Sequence, residues 1–322
     1  MYIVTGAAGL IGSAFIAELN SRSISDIIIV DELGDSEKWK NLKNKSFLDY
    51  LHKDAFLKKI QSGQTFKGLK AIVHMGACSS TTERDVDYLM QNNYHYTREL
   101  CSYALKRKLR FIYASSAATY GDGAKGYADD DAISPTLEPL NPYGFSKQLF
   151  DLWALRERVQ RKIVGLKFFN VFGPNEKHKG EMRSMVMKAH EQIKATGKLR
   201  LFRSHDARYA DGEQKRDFIY VKDCTKIMHW LLSKPKVGGI FNLGTGQAHS
   251  WNELARAVFA ALGVNPEIEY IDMPVELRSQ YQYFTEAKMQ KLKATGCPLK
   301  FTSLEDSILD YVKSYLETGA VL

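Results

Sequence analysis

A short apolar run, Tyr2-Ile3-Val4-Thr5, breaks into Gly6-Ala7-Ala8-Gly9-Leu10-Ile11-Gly12 and continues as the amphipathic stretch Ile11 to Ile16. Strand, glycine turn and helix in that order form a seat for a pyrophosphate. Gly6 permits the tight turn, Gly9 removes a side chain from the path of the anion, and Gly12 lets the helix lie close to the strand. The helix N-terminus then offers unpaired N–H groups and the positive end of its dipole. The next strand ends in Asp31, 19 residues after Gly12, where an acid accepts hydrogen bonds from an adenosine ribose. An acid there argues for NAD, because it repels a 2′-phosphate. Lys38, Lys40 and Lys53 follow closely and offset that repulsion, so the residues by themselves leave NAD and NADP both open.

The first half alternates short β-rich runs with stretches long enough for helices. Tyr2 to Thr5, Asp26 to Val30, Ala71 to His74, Arg110 to Ala114 and Ile163 to Phe168 read as buried strands. Parallel strands with right-handed helical crossovers follow, hence an α/β fold with a Rossmann-like, doubly wound parallel sheet. In the second half, Met182 to Ala195 reads as a helix and Leu199 to Gly212 as a polar, irregular stretch. Arg216 to Val221 and Gly239 to Leu243 return to strand pattern, and Trp251 to Leu262 and Ser303 to Tyr315 have helical periodicity. The expected division is a dinucleotide-binding domain over 1–169, with chain returning to it near 217–247 and 283–293. The other segments of 170–322 build a smaller, interleaved α/β substrate lobe.

With 44% hydrophobic and 25% charged residues, the composition is that of an ordinary globular chain. No apolar run approaches the ~20 residues of a membrane span, and the first residues read as a core strand rather than a leader, so a cytoplasmic protein without a membrane partner is expected. Cys78, Cys101, Cys224 and Cys297 are scattered without a CxxC pair or histidines at ligand spacing, so reduced thiols and no metal site are expected. A net charge of +8 raises nucleic-acid binding, but the lysines form no basic block. A positive field equally steers an anionic small substrate, and no nucleic-acid partner is expected.

Three residues carry the chemistry. Ser116 follows the strand Phe111-Ile112-Tyr113-Ala114 at its carboxyl end, where doubly wound sheets place ligands. Tyr143 and Lys147 stand four apart after Asn141-Pro142, a helix start, which puts phenol and ammonium on one face. A free phenol titrates near ~10. A neighbouring lysine and a cationic nicotinamide are expected to lower that value, so that Tyr143 takes a hydroxyl proton while Ser116 holds the substrate in line.

The glycine turn, Ser116-Ala117-Ala118-Thr119-Tyr120-Gly121, Tyr143-x-x-x-Lys147 and Arg216-Asp217-Phe218 resemble the extended short-chain dehydrogenases/reductases that modify nucleotide sugars. His74-x-Gly76-Ala77-Cys78-Ser79-Ser80-Thr81-Thr82-Glu83, Phe169 to Pro174, His178-Lys179-Gly180, Phe241 to Gly246 and Tyr281-Gln282-x-Phe284-Thr285 are similar to the ADP-L-glycero-D-manno-heptose 6-epimerases over nearly the whole chain. That resemblance implies inversion at C6 of an ADP-heptose, a lipopolysaccharide core precursor, through a transient ketone and a tightly bound nicotinamide cofactor. It implies chiefly NADP, with NAD beside it, and a homo-oligomer, often of five subunits. It adds Lys179 as a second catalytic group on the opposite face. It extends the cofactor site from Gly6, Gly9, Gly12 and Asp31 to Leu10, Ile11, Glu32, Lys38, Lys53, Met75, Gly76, Ala77, Cys78, Ser79, Asn92, Lys147 and Val171. Substrate contacts are implied at Asn170, Phe202, Arg216 and Tyr281, and at the positions of Glu181 and Lys188. A guanidinium at Arg216 also suits a diphosphate by its own fork geometry.

The chain departs from the family at Glu32, where asparagine is usual, and at Glu181 and Lys188, where serine and histidine are usual. The stretch Arg203 to Gln214 is longer than usual, and an altered loop beside the substrate is expected. A sugar-nucleotide dehydratase needs an acid after the serine, and Ala117-Ala118-Thr119 offers none. A UDP-hexose 4-epimerase is the nearest rival. A non-catalytic dinucleotide sensor or RNA-binding relative is the rival of another class, and the retained Tyr143 and Lys147 speak against it.

Overall fold

A computed structural model describes residues 1–278 and 281–322. Seven strands form the central sheet: β1 (Tyr2–Thr5), β2 (Ile27–Asp31), β3 (Asp49–His52), β4 (Ala71–His74), β5 (Arg110–Ser116), β6 (Val164–Phe168) and β7 (Gly239–Leu243). Their order is β7-β6-β5-β4-β1-β2-β3, and every pairing is parallel. β2, β4, β6 and β7 are buried along their whole length and β1 at every residue but Tyr2, which is why they read as apolar runs rather than alternating ones. The order reverses between β1 and β4, so the crevice beyond their carboxyl ends is the place such sheets bind ligands. Thr5 pairs with His74 across that seam, placing Gly6 beside Met75 and Gly76.

The helices used below are α1 (Leu10–Ser21), α2 (Lys53–Gln61), α3 (Tyr96–Lys106), α4 (Pro142–Arg156), α5 (Met185–Thr196), α6 (Val221–Ser233), α7 (Trp251–Leu262) and α8 (Leu304–Tyr311). α1 and α6 cover one face of the sheet through Phe15, Ile16, Leu19, Ile227 and Leu231, while α2, α3 and α4 cover the other through Phe56, Leu100 and Phe150. α5, α7 and α8 build a separate core from Val186, Ile193, Leu254, Val258 and Ile308, which also takes in Leu10 and Ala14 of α1. The first turn of α1 therefore packs against both hydrophobic cores. α7 starts where the sequence places it because Ser250 and Glu253 form a reciprocal capping box, a device worth about 1 kcal/mol.

Several elements differ from the sequence reading. β3 was not expected: Asp49-Tyr50-Leu51-His52 is a half-exposed edge strand without an apolar pattern. Leu199 to Gly212 is not wholly irregular, since Leu199–Phe202 pairs in parallel with Ile268–Ile271. The helix expected from Met182 begins at Met185, where Ser184 caps it. β5 runs on to Ser116, so this serine ends the strand rather than following it.

Candidate active site

The glycine turn has the geometry of an anion cradle. Gly6 sits at φ +63°, and a Cβ on Gly12 would meet the Gly6 carbonyl oxygen at 2.0 Å. Gly9 enters α1 in extended conformation, with no side-chain cap and no acid in the first turn, so the helix N–H groups remain open to an anion. These residues fit a dinucleotide pyrophosphate.

At the adenosine end, Asp31 is buried and its oxygens are taken. It accepts from the Ala8 N–H at 2.8 Å, from the Glu32 N–H at 2.8 Å and from Lys38 Nζ at 2.7 Å. Glu32 is half-exposed and pairs with Lys53 at 2.5 Å, and that hydrogen bond holds its carboxyl below the ordinary range. Lys53 also donates to Asn92 Oδ1 at 3.2 Å.

At the other end, the Ser116 Oγ accepts from the Ala118 N–H at 3.1 Å. Asn141 caps α4 by accepting from the Gly144 N–H at 2.8 Å, with Pro142 at the first position, which fixes where Tyr143 and Lys147 emerge. The buried Lys147 ammonium donates to the Ala114 carbonyl at 2.9 Å, and burial pushes it down to about 8. The Tyr143 phenol is pushed up by burial, and a hydrogen bond with Ser116 opposes that shift. The expected depression of Tyr143 by Lys147 is therefore absent in this arrangement, because the ammonium is turned to a backbone carbonyl. Behind them, Asp151 accepts from Tyr113 Oη at 2.8 Å and Ser115 Oγ at 2.7 Å and pairs with Lys167 at 3.3 Å. This locks α4 onto β5.

The segment after Asn170–Phe172 carries Lys179, which lines the same cavity. Glu176 is buried beneath it and accepts from the Ser184 N–H and Oγ, both at 2.6 Å, and from Tyr311 Oη at 3.0 Å. Burial lowers the Lys179 ammonium while Glu176 counters it.

One cavity of about 800 Å³ gathers Ser116, Tyr143, Lys147 and Lys179. The same cavity is lined by Gly6, Gly9, Leu10, Ile11, Gly12, Asp31, Glu32, Lys38 and Lys53, and by Met75 to Ser79, Asn92, Asn170, Val171 and Lys188. Glu181 lies outside that lining, with its side chain turned to solvent and paired with Lys188 at 3.2 Å. Phe202, Arg216 and Tyr281 do not line the cavity. Trp251, which lines it, joins two of them: its indole N–H donates to Tyr281 Oη at 2.8 Å, and the Arg216 guanidinium lies 5.7 Å from its ring. Arg216 is buried, stands 5.1 Å from the Tyr281 ring and donates to the Lys215 carbonyl. It makes no ion pair with Asp217, whose oxygens accept instead from Thr245, Gly246 and Ala287. Trp251, Phe218 and Leu254 were missed as lining residues, and their sequence signal is that of an ordinary amphipathic element. Cys101, Cys224 and Cys297 are buried, and Cys78 in the cavity is a free thiol raised by burial. Among the described residues, no cluster of three or more His, Cys, Asp or Glu could hold a metal, and no helix is long and apolar enough to cross a membrane.

Residues 2–244 match the NAD dependent epimerase/dehydratase family. The chain is 58% identical over 316 residues to the ADP-L-glycero-D-manno-heptose-6-epimerase of Nitratidesulfovibrio vulgaris, covering 98% of each chain. The chain belongs to this epimerase family, in its ADP-L-glycero-D-manno-heptose-6-epimerase branch. Its fold superposes on the crystal structure of the Helicobacter pylori ADP-L-glycero-D-manno-heptose-6-epimerase with a TM-score of 0.82, at 26% identity, covering 97% of this chain and 95% of that one. The Thermus thermophilus UDP-glucose 4-epimerase, solved in complex with NAD, shares the fold at a TM-score of 0.76 and 22% identity, covering 98% of this chain and 99% of that one. The epimerase family and the glycine cradle agree on a nicotinamide cofactor.

Proposed function

We propose that the chain inverts C6 of ADP-D-glycero-D-manno-heptose to give the L-glycero epimer, through transient oxidation to a ketone and re-reduction. The observation that carries this reading is the lining of one cavity by two proton-handling groups from different elements, Tyr143 on α4 and Lys179 on the segment before α5. A nicotinamide cofactor held at the turn Gly6 to Gly12 would supply the chemistry of accepting hydride from C6 and returning it. Tyr143 takes the hydroxyl proton on one face, Ser116 holds that hydroxyl in line, and Lys147 supplies the positive charge that favours phenolate once its ammonium turns from the Ala114 carbonyl. Lys179 handles the proton on the other face. Arg216, buried and without a carboxylate partner among the described residues, supports diphosphate binding.

NADP is the proposed cofactor. Asp31 is already satisfied by two N–H groups and Lys38, so it adds little repulsion, while Lys38 and Lys53 both line the adenosine end. The reading carries with it a cytoplasmic homo-oligomer feeding lipopolysaccharide core synthesis. Tyr143→Phe is expected to abolish epimerisation while leaving cofactor binding nearly intact, and unchanged turnover contradicts the assignment. Heating the purified protein and weighing the released nucleotide by mass spectrometry distinguishes NADP from NAD.

A further inference from the structure

The 3₁₀ turn Glu37–Leu42 carries Lys38 toward Asp31 on one side and a buried asparagine, Asn41, on the other. Asn41 Nδ2 donates to the Ala8 carbonyl at 2.8 Å, inside the pyrophosphate turn, and to the Asn175 carbonyl at 2.9 Å. It also stands 3.3 Å from His178 Nδ1. Burial, with Lys179 and Lys38 nearby, pushes His178 down to about 4, so its ring is neutral at working pH and brings no charge against the Asn41 amide. Asn175 adopts a left-handed conformation, φ +77°, and its own side chain donates to Ser13 Oγ at 2.9 Å. Ser13 in turn donates to the Gly9 carbonyl at 2.6 Å.

These bonds tie the segment bearing Lys179 to the cofactor cradle. A separate anchor of that segment, Glu176 with Ser184 and Tyr311, fastens it to α5 and α8. We infer that Asn41 is a positioning residue for catalysis: by holding the Asn175 carbonyl and the Ala8 carbonyl together, it sets where Lys179 stands relative to the dinucleotide. The turn that meets the adenosine end of the cofactor is thus the turn that registers the second face of the reaction. This inference rests on the reading of Lys179 as the second proton-handling group.

The test uses the full-length chain with NADP⁺ as the probe. Three quantities are measured for Asn41→Ala: turnover, NADP⁺ affinity, and backbone hydrogen exchange of residues 176–182 with and without NADP⁺. Misplacing a reacting group by about 1 Å costs roughly 10²-fold, so kcat is expected to fall by about that factor while the Kd for NADP⁺ stays within about threefold. Exchange of 176–182 should rise, and its slowing by NADP⁺ should be lost. Asn175→Gly keeps the backbone carbonyl and tolerates φ +77° but loses the Ser13 contact; it is expected to show the same pattern more weakly, and it stands in if Asn41→Ala fails to fold. Unchanged turnover, or a fall in kcat with wild-type exchange over 176–182, overturns the inference. Lys179→Met separates the two readings. It should lose turnover with exchange unaltered, whereas normal turnover sinks the catalytic role of Lys179 and leaves the exchange data to judge the tie alone.

Discussion

Asp151→Ala removes the carboxylate paired with Lys167 in the interior behind the active site, where both side chains are at most 1% exposed, and leaves only the weaker, unpaired influence of Asp129 among the described residues. Lys167 keeps a bond to Thr119 Oγ1 at 2.7 Å and lies 4.7 Å from the Tyr120 ring, but neither is a counter-charge. Tyr113 and Ser115 lose their acceptor in the same stroke. Stranding one member of a buried ion pair costs about 3–5 kcal/mol. At roughly 2–4 °C per kcal/mol for chains of this order, the melting temperature should fall by about 6–20 °C. Urea unfolding followed by circular dichroism gives the free energy, and a thermal melt gives the temperature. The reasoning makes a second demand: Lys167→Met in the Asp151→Ala background removes the stranded charge and should restore more than half of the loss. A single variant melting within about 2 °C of wild type, or a double variant no better than the single, refutes it.

Two further perturbations probe the cradle and a neighbouring histidine. Gly12→Ala forces a Cβ to within 2.0 Å of a backbone oxygen in the pyrophosphate turn, so NADP⁺ binding by fluorescence titration should weaken at least about tenfold. His74 is buried at the end of β4. Thr97 Oγ1 gives its proton to the Asn93 carbonyl and so accepts from His74 Nε2, leaving Nδ1 to accept from Thr5 Oγ1; the ring is therefore neutral, and burial pushes it down to about 3. Below the ordinary value of 6.5 the unfolded chain takes up this proton and the folded chain does not, so stability is lost as pH falls from 6.5 toward 3. The slope approaches about 1.4 kcal/mol per pH unit, and His74→Leu should remove that share of it between pH 6.5 and 5. An identical slope in the variant contradicts the assignment.

What was legible in the sequence was local. A strand, three glycines and a helix lie contiguous in the chain, and Asn141-Pro142 announces the helix that carries Tyr143 and Lys147, so the glycine turn and that helix could be read directly. The rest is made by distant pairs. Asp49-Tyr50-Leu51-His52 becomes a strand only because β2 offers it an edge, and Leu199–Phe202 only because Ile268–Ile271 lies beside it. Asp31 reads as repulsive to a phosphate until its oxygens are seen to be occupied, one of them by an N–H 23 residues earlier in the chain. Arg216 and Asp217 are neighbours in the chain, yet they do not pair, because the Asp217 oxygens accept from Thr245, Gly246 and Ala287, all distant in sequence. Asn41 gave no signal, since its partners lie 33 and 134 residues away.

The central claim is that hydrogen leaves C6 and returns to it without exchanging with water. Incubating the purified protein with ADP-D-glycero-D-manno-heptose in deuterated water, and reading the product by NMR and mass spectrometry, tests it directly. The account predicts the C6 epimer with little deuterium at C6, because Tyr143 and Lys179 exchange only oxygen-bound protons. An epimer carrying solvent deuterium at C6 means deprotonation at carbon, and no epimer at all means a different substrate; either result contradicts the account.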